Sequence, residues 1–460
     1  MKNEMTKVID TGKLSGADYV EIRMQKLFTT QLTVKDSRVE AARRGSEKGA
    51  AIRVFMNGAW GFASVGKWNR PLLVDSMTEA YKMAKAASVQ VKEPVKLAQA
   101  EAHEDRVSIT PKKDPKKIPT KEKIDMLLKE DETVFSFDKR VKSCTINYLD
   151  VTGTDYFLNS DGTYFEQDKL YLYLASTATA KEGDKITYSH DVLGYTSGFE
   201  EFDTETPETI GSRVAKRAID QLKAKKPKGG TFPAIIGPKV IGVFAHEAFG
   251  HLAEADLTMS GSVLMDKLGK KVASEEVSIH DDGTMKGAFG SYKYDDEGVP
   301  AKKTTLIKNG EVVSLMHNRE TAGKFGTEPT GNARAEDFRY EPIIRMRNTY
   351  LERGDYSFEE LTEGIRFGYY IKNYRGGQAN LDGTFQVGVQ EAFEIVKGEV
   401  GSPVRNLSFS GNTLETLHKV DAIGKDFELS VGVCGKGQRA FIGAGGPHTR
   451  VKEVVIGGRA

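Results

Sequence analysis

The sequence predicts an α+β fold in two parts. Residues 1–226 form an N-terminal mixed domain of antiparallel strands and helices, and residues 230–460 form a β-rich C-terminal domain. Three observations support this prediction: runs of alternating apolar and polar residues, four segments of helical character, and 47 glycines, which support many turns. The segment 225–230 (KKPKGG) marks the boundary, and the Pro- and Lys-rich stretch near 90–120 allows a further division of the N-terminal domain.

The first elements are predicted to be strands. Residues 18–66 contain three strand-like runs, which are DYVEIRMQ, TTQLTVKDSRVEAARR and GAAIRVFMNGAWGFAS. Asn57-Gly58 in the last run is a strong hairpin signal. Residues 70–88 then place apolar side chains at helical spacing. The stretch 94–120 is interpreted as an exposed linker or crossing.

A meander and a helix are predicted next. Residues 140–200 alternate between apolar and polar types, with a turn at Asp161-Gly162. Residues 206–224 form a helix whose N-cap is Thr206 or Thr209.

A largely buried helix is predicted near the start of the C-terminal domain. Residues 232–236 (FPAII) form a short strand, and Gly237-Pro238 ends it, since Pro suits the first turn of a helix. The apolar and helix-forming residues 239–255 (KVIGVFAHEAFGHLAEA) follow. This helix therefore begins directly after a strand.

The remaining C-terminal residues are predicted to form strands and turns. Residues 357–363 form a short helix with a Ser cap and a Glu three positions later, and residues 376–399 form a long hairpin. Three dipeptides are interpreted as hairpin turns: Asp282-Gly283, Asn309-Gly310 and Asp382-Gly383.

The buried helix carries the pattern H-E-x-x-x-H at His246, Glu247 and His251. Imidazole is the commonest protein ligand for zinc-like metals, and a Glu beside the first ligand can take a proton from a metal-activated water. Positions i and i+5 differ by about 140° on a regular α-helix, against about 40° for i and i+4. Both imidazoles reach one metal only if the helix widens or ends between them, and Gly250 can absorb a π-bulge. The alternative is two unrelated histidines.

The sequence offers several candidates for a third ligand. Cys434 lies in a glycine-rich segment (SVGVCGKGQ), and a thiolate is a good zinc ligand. His280, His317 and His448 compete with it, whereas Cys144 lies in a strand-like run and is interpreted as a small core residue.

Several long blocks resemble the TldD/PmbA family. They include HEAFGHLAEAD, PTGNARAEDFRYEPIIRMRNTYLERGD, NYRGGQANLDGTFQVGVQEAFEIVKGE and SVGVCGKGQ, in order along roughly residues 230–460. The N-terminal half resembles the family more weakly, in DYVEIRMQ and GAAIRVFMNGAWGFAS. TldD-type chains of this family carry H-E-x-x-x-H and the late Cys and are metallopeptidases, whereas PmbA-type chains, also called TldE, lack the motif and act as partners.

The resemblance implies specific roles. His246, His251 and Cys434 would hold one zinc ion per subunit, and Glu247 would be the catalytic residue. The chain would form a homodimer, or a heterodimer with a PmbA/TldE-type subunit.

Three residues are candidates for substrate binding. The charged block around Arg334 is either a structural ion-pair turn or, by the resemblance, a loop lining the active site. Gly376 and Gly377 either make turns or leave room for an extended peptide that pairs with a sheet edge. Backbone pairing, like the resemblance, implies broad cleavage of small unfolded peptides.

The predicted function is that of a zinc-dependent peptidase, with a metal-activated water and Glu247 as general base. The alternative is a non-catalytic, metal-stabilised binding or regulatory protein. Glu247 discriminates between the two, because a structural site needs no acid-base residue and usually has four protein ligands.

Composition excludes several other classes. With 66 Lys and Arg against 65 Asp and Glu, no global field favours nucleic acid. Two widely separated cysteines fit a reducing cytoplasm. The start MKNEMTKVIDTGK does not read as a signal peptide, and no run approaches the roughly 20 apolar residues of a membrane span.

Overall fold

A computed structural model describes residues 1–458 and has the predicted α+β fold. The N-terminal half contains long strands and helices, with a short 3₁₀ turn at Pro115–Lys117. Its helices and strands are α1 (Lys2–Leu14), β1 (Tyr19–Lys35), β2 (Arg38–Met56), β3 (Ala59–Val65), α2 (Arg70–Ser88), β4 (Glu104–Val107), α3 (Thr120–Phe137), β5 (Val141–Asn159), β6 (Tyr164–Glu182), β7 (Lys185–Tyr195), α4 (Glu201–Thr204) and α5 (Pro207–Lys223).

These strands form one seven-stranded sheet in the order β3-β2-β1-β5-β6-β4, with β7 also paired to β6. Strands β2, β5 and β6 have 19 residues each, so the sheet is about 60 Å long, more than one helix layer can cover. Helices α1 and α2 therefore pack on one part of the sheet, and α3 and α5 on another, with a separate apolar core under each pair.

The C-terminal half has shorter elements. They are β8 (Gly230–Ile236), α6 (Pro238–Val243), α7 (Ala255–Met259), β9 (Ile279–Asp282), β10 (Lys303–Lys308), β11 (Glu311–Val312), α8 (Arg319–Phe325), β12 (Ala333–Arg334), β13 (Ile343–Ile344), β14 (Asn348–Leu351), α9 (Phe358–Thr362), β15 (Phe367–Ala379), β16 (Thr384–Val396), β17 (Glu399–Val404), β18 (Leu407–Asn412), α10 (Thr413–His418), β19 (Val420–Ile423), β20 (Glu428–Gly435), β21 (Arg439–Gly446) and β22 (Thr449–Gly458).

Two larger sheets organise this half. One has the order β11-β10-β9-β14-β21-β20, so that β20 is an edge strand. In the other, β15, β8, β22, β18 and β16 pair in a closed cycle, because β16 also pairs with β15. Strands β12 and β13 form a separate two-stranded ribbon.

Helix α6 and the turns after it lie between these two sheets, in the largest apolar core. Helix α6 approaches β21 so closely that a Cβ on Gly242 would lie 2.4 Å from the backbone nitrogen of Gly445. Only glycine permits this approach. The close packing places the segment that carries the two histidines directly against the strands of the C-terminal half.

Many of the predicted elements are confirmed. Helix α2 matches the prediction, Thr206 caps α5, and Ser357 makes a capping box with Glu360. Asn57-Gly58, Asn309-Gly310 and Asp382-Gly383 each join consecutive strands.

Other predictions were wrong in detail. The first predicted run and the start of the second lie in one strand, because β1 continues to Lys35. The chain turns after β1 at Asp36 and Ser37, which have positive φ values of 48° and 63° although neither is a glycine. The supposed linker contains β4 and the 3₁₀ turn, and helix α1 was not predicted.

Asp282-Gly283 is not a hairpin turn. Strand β9 ends at Asp282, and its partners are the distant strands β10 and β14. The Asp282 side chain instead accepts hydrogen bonds from the backbone N–H and the hydroxyl of Thr284 at 2.7 and 2.6 Å. These bonds stabilise the start of a long loop.

In the part of the chain that the structure describes, no helix combines the length and the apolar character needed to cross a membrane.

Candidate metal centre

The helix that carries the two histidines changes its pitch at the motif. After α6, residues Phe244–Gly250 form a π-helix and His251–Ala253 a 3₁₀ turn. The backbone N–H of His251 donates to the carbonyl of His246, five residues earlier. This wider turn brings the two imidazoles together, with ring centroids 5.3 Å apart and ring planes at 79°. The predicted widening of the helix is confirmed.

Gly250 is needed where the helix widens. A Cβ at this position would lie 2.1 Å from Met346 Sδ and 3.2 Å from the carbonyl of Ala245. The absence of a side chain at Gly250 therefore lets the buried Met346 pack onto the turn.

Four side chains converge beside this turn. The potential ligand atoms of His246, Glu247, His251 and Cys434 all lie within 4.8 Å of one another. Cys434 is almost at the end of β20, and its Sγ lies 3.3 Å from His251 Nε2. The structure therefore brings together the three predicted ligands and the predicted general base.

His246 has the character of an unprotonated ligand. Its side chain is buried, and neither ring nitrogen has a hydrogen-bond partner among the described residues. Burial holds the pKa of His246 well below its usual range, and the charges of His251, Arg345 and Arg334 act in the same direction. A buried polar atom without a partner is costly, and a cation would satisfy it. Two imidazoles and a thiolate suit zinc, so the residues present fit such a metal.

His251 is oriented by a carboxylate. Its Nδ1 lies 2.9 Å from Glu254 Oε2, which can only accept, so that Nε2 faces Cys434. Burial opposes the charged imidazolium, but Glu254 and Cys434 outweigh burial and raise the pKa of His251 to about 10. A metal at Nε2 would therefore have to displace a proton.

Glu247 faces open space beside the two imidazoles. Its carboxylate oxygens lie 4.0 Å from His246 Nε2 and 3.8 Å from His251 Nε2, and its side chain is 33% exposed. Burial raises the pKa of Glu247, although the charge of His251 opposes this shift. A carboxylate with a raised pKa is a better proton acceptor near neutral pH.

The Glu247 side chain borders a cavity of about 310 Å³, and residues from both halves of the chain line this cavity. The N-terminal sheet contributes Tyr173 and His190, and β15 contributes Tyr374. None of these three residues was predicted, because nothing in their local pattern links them to a motif far along the chain. Glu254 was not predicted either, although its position three residues after His251 was an available signal.

The candidate substrate residues lie in different places. Gly376 and Gly377 are exposed and line the same cavity as Glu247. Arg334 is buried, donates to the carbonyl of Met346 at 2.6 Å, and lies over the ring of Tyr292. It lines a separate cavity of about 120 Å³.

The other candidate ligands are engaged elsewhere. His280 lies 3.1 Å from Thr305 Oγ1, and His317 lies 3.1 Å from Thr321 Oγ1. His448 pairs with Asp426 at 2.8 Å. Cys144 is in the core beneath α3 and α5, where burial raises the pKa of its thiol.

The chain matches family models and known proteins along most of its length. Models described as PmbA/TldA metallopeptidase domain 1, central domain and C-terminal domain match residues 20–88, 113–222 and 229–458. A "Metalloprotease" of Methanothermobacter thermautotrophicus is 41% identical over 444 residues, which cover 96% of each chain. A "Zinc metalloprotease TldD homolog" of Saccharolobus solfataricus is 35% identical over 456 residues, covering 99% of this chain and 100% of the relative. The crystal structure of TldE from Thermococcus kodakarensis has a similar fold, with a TM-score of 0.79 at 24% identity over 99% of this chain and 100% of the other.

The two cysteines allow a matched test of metal ligation. We expect Cys434→Ala to lower the metal content of the purified protein, because the cluster loses its only thiolate, whereas Cys144→Ala removes a thiol from a remote core and keeps the metal. Elemental analysis of both variants and the wild type measures this. Full metal content in folded Cys434→Ala protein would contradict the proposed ligand set.

Proposed function

The chain belongs to the PmbA/TldD family of metallopeptidases, and we propose that it is a zinc-dependent peptidase that hydrolyses small unfolded peptides. The observation that carries this proposal is the convergence of His246, His251 and Cys434 around one point, with the Glu247 carboxylate beside them. This arrangement combines three metal ligands with an acid-base residue, as hydrolysis by a metallopeptidase requires.

His246, His251 and Cys434 would hold one zinc ion per subunit. Two nitrogens and a thiolate favour zinc, and the name of the Saccharolobus relative supports this choice. When bound, zinc supplies Lewis-acid chemistry, which activates water and polarises the peptide carbonyl. Both cysteines are free thiols, and Cys434 can bind zinc only in reduced form, so we place the enzyme in a reducing compartment such as the cytoplasm.

Glu247 would move the proton. It is the carboxylate of the cluster that faces the cavity, and its pKa is raised by burial. It would take a proton from the attacking water at a carboxylate oxygen and donate it to the leaving amine. The hydroxyl of Tyr374 and the imidazole of His190 line the same cavity and can donate hydrogen bonds to the substrate carbonyl.

Peptides would bind as an added strand. Among the described residues, strand β20, which carries Cys434, pairs only with β21, so every second residue presents its N–H and C=O groups to the unpaired side. Gly376 and Gly377 line the same cavity and have no side chains to block an extended backbone. Backbone pairing gives affinity with little side-chain preference. Arg334 would act indirectly, through the Met346 carbonyl to which it donates.

The alternative, a non-catalytic binding or regulatory protein, has less support. A structural zinc site usually has four protein ligands, and it needs no carboxylate that faces a cavity. Within residues 1–458, the cluster offers only three potential ligands besides Glu247.

Substitution of Glu247 tests the mechanism. We expect Glu247→Gln to keep its metal and to lose about 10²–10⁴-fold in kcat, because the amide cannot accept the proton of the water. Glu352→Gln, at a half-exposed glutamate outside the cluster, serves as the control and should keep wild-type kcat. Peptide hydrolysis at the wild-type rate by Glu247→Gln protein would remove Glu247 from the mechanism.

The strand-addition model predicts broad specificity for unfolded chains. A library of unstructured peptides should be cut at many different residue pairs, whereas a stably folded protein should remain intact, because its backbone groups are already paired. Mass spectrometry of parallel digests identifies the cleavage sites. A narrow consensus, or rapid cutting of the folded protein, would reject the model.

We also propose that the enzyme functions as a dimer, either with itself or with a PmbA/TldE-type subunit. Its resemblance to TldD-type chains supports this. Light scattering of the purified chain should give the mass of a dimer, and if it does not, a PmbA/TldE-type chain should co-purify from the native host. A monomer with full peptidase activity would contradict the proposal.

A further inference from the structure

Glu254 and Lys436 form an ion pair directly behind the proposed metal ligands. The Glu254 side chain is completely buried, and its Oε2 accepts hydrogen bonds from His251 Nδ1 at 2.9 Å and Lys436 Nζ at 3.1 Å. Lys436 also donates to Asp256 Oδ2 at 2.7 Å and to the carbonyl of Ile344 at 3.1 Å. One carboxylate oxygen of Glu254 therefore connects the ring of a proposed ligand to the ammonium group of a partly exposed lysine.

The two residues belong to the two chain segments that carry the ligands. Glu254 directly follows the 3₁₀ turn that begins at His251, and the backbone there is fixed by a hydrogen bond from Ala255 N to the Met316 carbonyl at 3.0 Å. Lys436 lies two residues after Cys434, in the turn between β20 and β21. The ion pair thus ties the tip of the Cys434 hairpin to the end of the histidine-bearing helix.

We propose that the Glu254–Lys436 pair is a positioning device that sets the affinity of the chain for zinc. Glu254 keeps a hydrogen on His251 Nδ1 and so presents Nε2 to the cation. Lys436, held by the same oxygen, keeps the Cys434 hairpin tip against His251. The inference rests on the proposed ligand set but goes beyond it, because neither Glu254 nor Lys436 is a ligand.

A purely structural ion pair would behave differently. Removal of one partner from a buried pair leaves the other charge uncompensated and lowers stability. The folded molecules that remain would then bind zinc with unchanged affinity. A positioning pair instead changes the dissociation constant itself, because His251 and Cys434 lose their fixed relative placement.

The test is the Kd of the full chain for zinc, measured by competition with a chromophoric chelator. We expect Lys436→Met and Glu254→Gln each to weaken binding by about 10–100-fold. The double variant should bind zinc more tightly than the product of the two single effects predicts, because both substitutions remove one shared interaction. Lys436→Arg, which keeps the charge, should recover part of the affinity.

Lys169→Met is the matched control. Lys169 pairs with Asp155 on the N-terminal sheet, and its side chain is 18% exposed, against 16% for Lys436. Its removal should lower stability and leave the zinc Kd unchanged. Lys436 is on a hairpin turn with a partly exposed side chain, so Lys436→Met keeps the test decisive if the buried Glu254→Gln substitution prevents folding.

A wild-type zinc Kd in folded Lys436→Met protein would overturn the positioning role. A Kd increase in the double variant that equals the product of the two single-variant increases would overturn it as well. Cys434→Ala, measured in the same assay, separates this failure from that of the proposed function. A wild-type Kd in Cys434→Ala would reject the ligand set itself, whereas a weakened Kd there with a normal Kd in Lys436→Met would reject only the positioning role.

Discussion

The hydrogen bond from the His251 N–H to the His246 carbonyl is the interaction on which the candidate centre depends. It spans five residues, so the two imidazoles, which a regular α-helix would point about 140° apart, lie on one side of the chain. The segment can keep this less common geometry because Phe244 and Phe249 anchor it in the largest apolar core. Glu247 then lies beside both rings and faces the cavity.

Residues far from the π-turn in the sequence hold the Cys434 hairpin and line the cavity. Arg345 is buried and donates to the carbonyls of Cys434 and Gln438 at 2.9 and 2.5 Å, which holds both sides of the hairpin that carries the thiol. The N-terminal sheet contributes Tyr173 and His190 to the lining of the cavity. Residues of both halves of the chain therefore line the cavity beside Glu247, and neither half lines it alone.

Predictions of the fold succeeded where the signals were local. The helical spacing of residues 70–88 and the turn dipeptide Asn57-Gly58 depend on neighbours only, and both were predicted as they occur. The turn at Asp36-Ser37 was missed because its positive φ values are supported by distant contacts, including hydrogen bonds from the backbone and side chain of residues 143–144 to Asp36. Asp282-Gly283 was misread because the same dipeptide can begin a loop as well as a hairpin.

The sequence by itself determined the histidine spacing, and two histidines at this spacing can share one metal only if the helix is widened or broken, because a regular α-helix points positions i and i+5 about 140° apart. It also determined the family resemblance, on which the choice of Cys434 depended. Only the tertiary structure decided that Cys434 lies 3.3 Å from His251 and that Lys436 reaches Glu254. These contacts join segments about 180 residues apart, and no local pattern of apolar, polar or turn residues encodes which strand edge meets which helix end.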